Sequence, residues 1–502
     1  MKPYQINAKA GSRWVLSVVA VLVLTACASS AGIAPSTPAI EPTELGLSDA
    51  TVASASQVNE QWWAAWGDAQ LSNLMTHALK LHPTLQVAQA RLARAGAAVM
   101  GEEAGSGPKL GLNADATRQH FSANSIYPAP LGGSTRTLAN AQLAGSWEID
   151  FFGRHGAALE AAVGTQRAAE ADLAAARNLL TSQIAQSYVQ LGRLLAQKSV
   201  AERALKQREQ MLALIRQRVD AGLDTQVELR QGEGALPEAR LQIEQIGEQV
   251  ALARHALAAL AAVSPDSLAQ FEPALPDARQ VLLPTVLPAD LLGRRPDVAA
   301  ARWRIEAATQ GVKAAKAQFY PNVNLTAFAG LASIGLGKLV EAGSRQYGVG
   351  PAIHLPIFDA GRLRANLTAR SVDVDAAVAA YNGAVVEAVR DTADQLTSLQ
   401  SLERQRVAQA QAQAAAESAY DLAQQRYGAG LSGYLTLLGA ESAVLAQQRQ
   451  AVDLQARVLS TQVNLIRALG GGVNVDSPDA SVIAQVGEAA QQTANRQPTD
   501  GR

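Results

Sequence analysis

Cys27 is the only thiol in the chain and stands directly behind an apolar run, in Leu24-Thr25-Ala26-Cys27. One thiol builds neither a disulfide framework nor a cysteine-based metal site. The six histidines, at 77, 82, 120, 155, 255 and 354, are scattered, and none belongs to a zinc-binding His-Glu-x-x-His helix. Gly335-Leu336-Gly337-Lys338 has the beginnings of a phosphate-cradling loop. However, Ala332 stands where that loop needs its first glycine, and Leu339 where it needs serine or threonine. Glu148 and Asp150 share one face of an alternating segment, which places them on a polar wall rather than in an acid–base pair. These residues predict no enzyme, no cofactor and no bound metal.

Lys2, Lys9 and Arg13 precede an apolar run over 14–24. The stretch 14–26 is too short to span a bilayer, which takes about 20 residues, so 1–26 reads as a cleavable export signal. Its end resembles the lipobox of bacterial lipoproteins. That resemblance implies a lipid on Cys27, and Ala28 in place of Asp implies delivery to the outer membrane. The alternative is an ordinary signal followed by a chance cysteine. Residues 27–60 are rich in Ser, Pro and Ala and predict a flexible N-terminal tether. No later segment holds 18 uninterrupted apolar residues, so no transmembrane helix is expected.

Aromatic residues make up 4% of the chain and charged residues 17%, with a net charge of −1. No field of one sign exists to recruit nucleic acid. Ala, Gln, Leu and Arg fill most of the length and favour long helices, while few large side chains are available for a globular core. The composition therefore predicts an elongated helix-on-helix object.

The chain is written twice. With His82-Pro83 over Arg295-Pro296, an offset of 213, Arg91 falls on Arg304, Pro108 on Pro321 and Leu112 on Leu325. A later block matches at offset 208: Gly153-Arg154 on Gly361-Arg362, Arg218 on Arg426, Ala221-Gly222-Leu223 on Ala429-Gly430-Leu431, and Glu233 on Glu441. Copies this long are an ancient duplication rather than a solenoid. The predicted organisation is a first repeat over 61–263, a connector over 264–289, a second repeat over 290–472 and a disordered tail over 473–502.

Each copy repeats one order of elements. Helices are predicted over 71–105 and 290–318, and each is followed by two runs of period two. Leu110, Leu112, Ala114 and Ala116 alternate with polar residues, and so do Leu143, Trp147, Ile149 and Phe151. In the second copy Val323, Leu325 and Ala327 do the same, then Val349, Ile353, Leu355 and Ile357. Strands apolar on one face suit a membrane barrel, and equally a soluble hairpin lying on helices; the export signal favours the membrane. Four strands cannot close a barrel alone, so three chains and twelve strands are expected, with extracellular loops over 122–136 and 332–346. After each hairpin a long helix with heptad-like spacing is predicted, through Leu173, Leu180, Ile184, Leu191 and Leu195 in the first copy. The first long helix covers 154–219 and breaks at Gly222; a second returns over 225–263. The fold class is mainly α with membrane β: a 12-stranded β-barrel continuing into a long helical barrel.

From about residue 61 to 472 this pattern resembles the TolC-like outer-membrane factors, in their lipoprotein, NodT-type branch. The carrying pieces are Arg218…Ala221-Gly222-Leu223-Asp224-Thr225, its counterpart Arg426-Tyr427-Gly428-Ala429-Gly430-Leu431-Ser432, Leu355-Pro356-Ile357-Phe358-Asp359-Ala360-Gly361-Arg362 and Gln318-Phe319-Tyr320-Pro321. The resemblance implies a homotrimer in the outer membrane, a large periplasmic tunnel closed at its tip, and docking of a periplasmic adaptor that links it to an inner-membrane pump. It implies docking at Arg218, Gly222, Leu223, Arg426, Gly430 and Leu431, and a gate at Tyr427, Leu435, Gly439 and Ser442. Gly153, Arg154, Gly361 and Arg362 mark the barrel–helix junctions. Related channels have an acid and a base where this chain has Gly439 and Ser442. Closure is therefore expected from packing, Tyr427 and Leu435 rather than from ion pairs. The implied function is drug and toxin efflux; a channel for type I protein secretion and a lipid-anchored coiled-coil scaffold are the alternatives.

Overall fold

The computed structural model describes residues 29–40, 59–276 and 295–473. Cys27 and the export signal, connector residues 277–289 and tail residues from 474 lie outside them.

Helix α1 (Ala69–Leu81) starts where the Asp68 carboxylate accepts the Gln70 and Leu71 N–H groups, at 2.7 and 3.1 Å. The single helix expected over 71–105 is in fact two, α1 and α2 (Pro83–Ser106). Pro83 lacks an N–H and its ring forces the preceding residue out of the helical region. His82 accordingly sits extended at φ −64°, ψ 129°.

Four antiparallel strands follow in two hairpins: β1 (Lys109–His120) with β2 (Thr135–Ile149), and β3 (Asn322–Ile334) with β4 (Arg345–His354). Strand β2 also pairs with β3, so the two copies fuse into one meander with β1 and β4 as edges. The register places Leu112, Leu143, Ala329 and Tyr347 on one face, and Asn113, Gln142, Gly330 and Gln346 on the other. Side-chain bonds from Asn140 to Asp115 (3.1 Å) and from Gln346 to Asn140 (3.0 Å) tie the polar face together. The apolar face is bare, with Leu112 72% and Val349 76% exposed. Water makes such a face a liability, and lipid requires it. The strands end earlier than expected: Phe151 has left β2, its N–H turned back to the Ile149 carbonyl, and Leu355 and Ile357 lie beyond β4. Pro356 has no N–H to continue a ladder. At the other end the ladders run further than expected, so the loops shrink to residues 121–134 and 335–344.

Helices α3 (Arg154–Asp220) and α6 (Arg362–Gly428) each have 67 residues, about 100 Å at 1.5 Å per residue. Helices α4 (Gln226–Ala261) and α5 (Pro296–Ala317) both pack along α3, so one long outward run faces two shorter ones. Helix α7 (Tyr434–Ala468) packs on α6 and α3. Of the predicted heptad, Leu180, Ile184 and Leu191 are buried and Leu173 and Leu195 partly so, in a core shared with Trp62, Trp63, Met75 and Leu257.

The flexible tether expected over 27–60 fails at residues 29–40, which lie docked along α6. Asp375 accepts the Ser36 and Thr37 N–H groups, both at 2.7 Å, and Asn382 accepts that of Ile40 at 2.9 Å. The Asn382 amide donates in return to the Pro38 carbonyl at 3.0 Å. Ile33 and Ala39 pack against the α5/α6 core. An extended Pro-rich backbone cannot satisfy its own N–H groups, and here a helix surface does so.

Candidate functional site

The far ends of the long helices stop by the same device. Gly222 and Gly430 have φ of +69° and +73°, a region that glycine enters without strain. The Leu223 N–H then reaches back to the Arg218 carbonyl, and that of Leu431 to Arg426, each at 2.8 Å. Gly222 and Gly430 donate to Val219 and Tyr427, both at 3.0 Å. This pair of bonds satisfies helix-end carbonyls that would otherwise lack partners.

The two turns differ in their side chains. The Arg218 guanidinium donates to both oxygens of Asp224, at 2.9 and 3.2 Å. It also donates to the Tyr427 carbonyl at 3.1 Å and lies 4.7 Å from the centre of the Tyr427 ring. The Tyr427 hydroxyl donates to Asp224 at 2.5 Å, and its ring is fully buried. Burial alone would raise the pKa of Asp224, but its bonds from Arg218 and Tyr427 prevail and hold it below the ordinary value. Burial and the Asp224 carboxylate push the Tyr427 phenol upward. In the second turn Ser432 aligns with Asp224, and Arg426 is exposed with no ion-pair partner among the described residues.

A second tie lies further up the helices. Glu441, 8% exposed, accepts from Arg208 at 3.2 Å, and Arg208 also donates to the Ala235 carbonyl at 3.2 Å. Helices α3, α4 and α7 meet there. Beside the packing that the sequence leads one to expect at the tip, one chain carries two ion pairs there, Arg218–Asp224 and Arg208–Glu441. Tyr427 belongs to the first of them. Leu435 is 65% exposed, Gly439 faces open space, and the Ser442 hydroxyl turns back to the Leu438 carbonyl at 2.8 Å. Leu223, Leu431 and Leu435 form an exposed apolar rim.

At the opposite end Gly153 and Gly361, with φ of +72° and +88°, turn the chain from strand into long helix. Arg154 pairs with Glu148 at 2.5 Å, and His155 lies 3.3 Å from the same oxygen. The Asp150 carboxylate caps α3 through the Gly156 N–H at 2.8 Å, and Asp359 caps α6 through Gly361 and Leu363 at 3.1 and 2.8 Å. Phe152 stacks on Tyr320 with ring centres 4.9 Å apart. Sequence reading found the glycines and arginines here and missed the aromatic pair.

A bare-faced strand meander feeding two paired sets of long helices with tied-off far ends describes a membrane channel extended by a helical tunnel. Residues 74–263 and 287–471 each match the family "outer membrane efflux protein", and the chain belongs to that family. It is 32% identical over 422 residues to the multidrug resistance outer membrane protein MdtQ of Escherichia coli O6:H1, covering 82% of this chain and 88% of that protein. It is 35% identical over 371 residues to the fusaric acid resistance protein FusA of Burkholderia cepacia, covering 72% and 69%. The crystal structure of the outer membrane protein VceC from Vibrio cholerae matches with a TM-score of 0.76 at 37% identity, covering 82% of this chain and 98% of that one. The fold is that of the trimeric outer-membrane efflux channels, with a large periplasmic helical portion.

Proposed function

We propose that three copies close a twelve-stranded barrel in the outer membrane and export small toxic organic compounds, received through a periplasmic adaptor from an inner-membrane pump. The observation that carries this reading is the sheet, with one bare apolar face and two unpaired edges, β1 and β4. Open edges are not viable in lipid, and β1 of one copy against β4 of the next removes them. The relatives named for multidrug and fusaric acid resistance support small molecules over a secreted protein as cargo. The exposed rim of Leu223, Leu431 and Leu435 is the surface offered to the adaptor. Protein purified in mild detergent is expected to measure three chains per particle and to conduct ions in planar bilayers. A conducting monomer, or a trimer that never conducts, overturns the reading.

Lipidation of Cys27, as in the lipoprotein branch, is part of the same proposal. The Arg364 side chain donates to the Ser29 carbonyl in the first turns of α6, just below the barrel. Ser29, the first described residue, is thereby held at the barrel end of α6. Cys27→Ser is expected to abolish incorporation of labelled palmitate while leaving some channel in the membrane, because a closed barrel spans it unaided. Normal labelling of that variant refutes the lipid.

A further inference from the structure

The duplication preserved both junction arginines but only one acid. At offset 208 Arg154 aligns with Arg362, whereas Glu148, the partner of Arg154, aligns with Pro356. Arg362 has no ion pair and no side-chain hydrogen bond among the described residues. The nearest acid in sequence, Asp359, is occupied in capping α6.

Arg362 lines a cavity of about 260 Å³ together with Phe152, Tyr320 and His354. Phe152 and Tyr320 lie stacked, 11° from parallel, and remain 45% and 54% exposed. Both acids of this cavity are already engaged, Glu148 by Arg154 and His155, and Asp150 by the Gly156 N–H. What remains open is one cation, one imidazole and an aromatic surface. His354 stands opposite Asn322, on the polar face that Glu148 shares. In a closed barrel that face is the wall of the lumen, so the cavity opens on the path of outgoing compounds.

We propose that this cavity is a lumenal binding site for aromatic carboxylates. The argument rests on the channel reading above. A guanidinium fork matches a carboxylate with two parallel hydrogen bonds, and charge-assisted bonds are about twice as strong as neutral ones. The ring of the ligand lies against Phe152 and Tyr320 in offset or edge contact. His354 supplies a further N–H. The volume is below the roughly 300–1,000 Å³ of drug-sized sites, so it holds a single substituted ring and favours brief residence. Brief residence suits a channel, where a bound compound must leave again.

The test uses purified trimers in planar bilayers, with benzoate as the probe and acetate and benzyl alcohol as controls. Benzoate added on the barrel side is expected to reduce the current, with a half-blocking concentration about tenfold below that of either control. Arg362→Gln is expected to raise the half-blocking concentration of benzoate about tenfold and Arg362→Lys to recover part of the block, since lysine keeps the charge but loses the fork. Tyr320→Leu is expected to weaken benzoate block and leave acetate unchanged. Equal block by benzyl alcohol, or unchanged benzoate block in Arg362→Gln, overturns the proposal. Current without any benzoate block overturns this proposal alone, whereas absence of current from every preparation overturns the channel reading.

Discussion

Asp224→Ala is expected to raise the resting conductance of the channel by about an order of magnitude, more than any change at Leu435. Asp224 is the one carboxylate that takes both the Arg218 guanidinium and the Tyr427 hydroxyl. Its removal leaves the Arg218 guanidinium with only the Tyr427 carbonyl and ring, and the buried Tyr427 phenol without its acceptor. The pair is part-buried, so breaking it costs less than the roughly 3–5 kcal/mol of a fully buried pair, but three copies of the chain lose it together. Tyr427→Phe removes one hydrogen bond to a charged group, about 1.5–3 kcal/mol, and is expected to have an intermediate effect. The sign of the pH dependence follows from the depressed pKa of Asp224. The charged carboxylate is fully present above its ordinary value of 3.8 and is lost only as pH falls below that. Closure should therefore be level from about pH 8 to about pH 5 and loosen only in stronger acid. Low sensitivity to salt is also expected, because a pair shielded from solvent is weakly screened. Salt alone therefore does not distinguish an apolar gate from this one. Single-channel recording of the three variants does: if Leu435→Ser opens the channel further than Asp224→Ala, packing holds the tip and the ion pair is incidental.

What the sequence revealed and what it hid divide by distance along the chain. The two 67-residue helices were legible because heptad spacing, Gly222 and Gly430 are local signals. The strands were legible from alternation, and their ends were misread only where Pro356 and the turn at Phe151 intervene. The break at His82 is hidden by the unbroken helical pattern on either side of it and follows only from the constraint that Pro83 places on the residue before it. Asp224 looks like an ordinary turn residue, and its partner Tyr427 is 203 positions away. Glu441 finds Arg208 across 233. No local pattern encodes such pairs, although the repeat held a clue: Asp224 aligns with Ser432 and Glu148 with Pro356, so at each end one copy keeps an acid that the other has lost. Composition likewise hid the docking of 29–40. Asp375 and Asn382 stand seven apart on one face of α6, and that spacing, rather than the Ser/Pro content, decides where the segment lies.

The seam between the two copies is the place where a single methyl group should do most harm. Gly330 on β3 pairs with Gln142 on β2, within the β2–β3 ladder that joins the strands of the two copies. A Cβ at Gly330 would stand 2.4 Å from the Ala141 carbonyl oxygen and 2.6 Å from the Gln142 Cα. Both are backbone atoms, so no side-chain rotation relieves the contact and the strands must separate. Overpacking of a well-ordered site costs about 1–3 kcal/mol, occasionally more, and a backbone collision belongs at the upper end. Gly350, one strand away on β4, has nothing within 4 Å of the same position and ordinary backbone angles. Alanine there should be neutral or slightly stabilising, since it restricts the unfolded chain by about 0.4–1 kcal/mol. Gly330→Ala is thus expected to abolish the detergent-resistant oligomer in outer-membrane extracts, and Gly350→Ala to leave its melting unchanged or raised. Assembly of Gly330→Ala with normal melting would mean that β2 and β3 do not meet in this register, and the continuous sheet that unites the two copies would have to be redrawn.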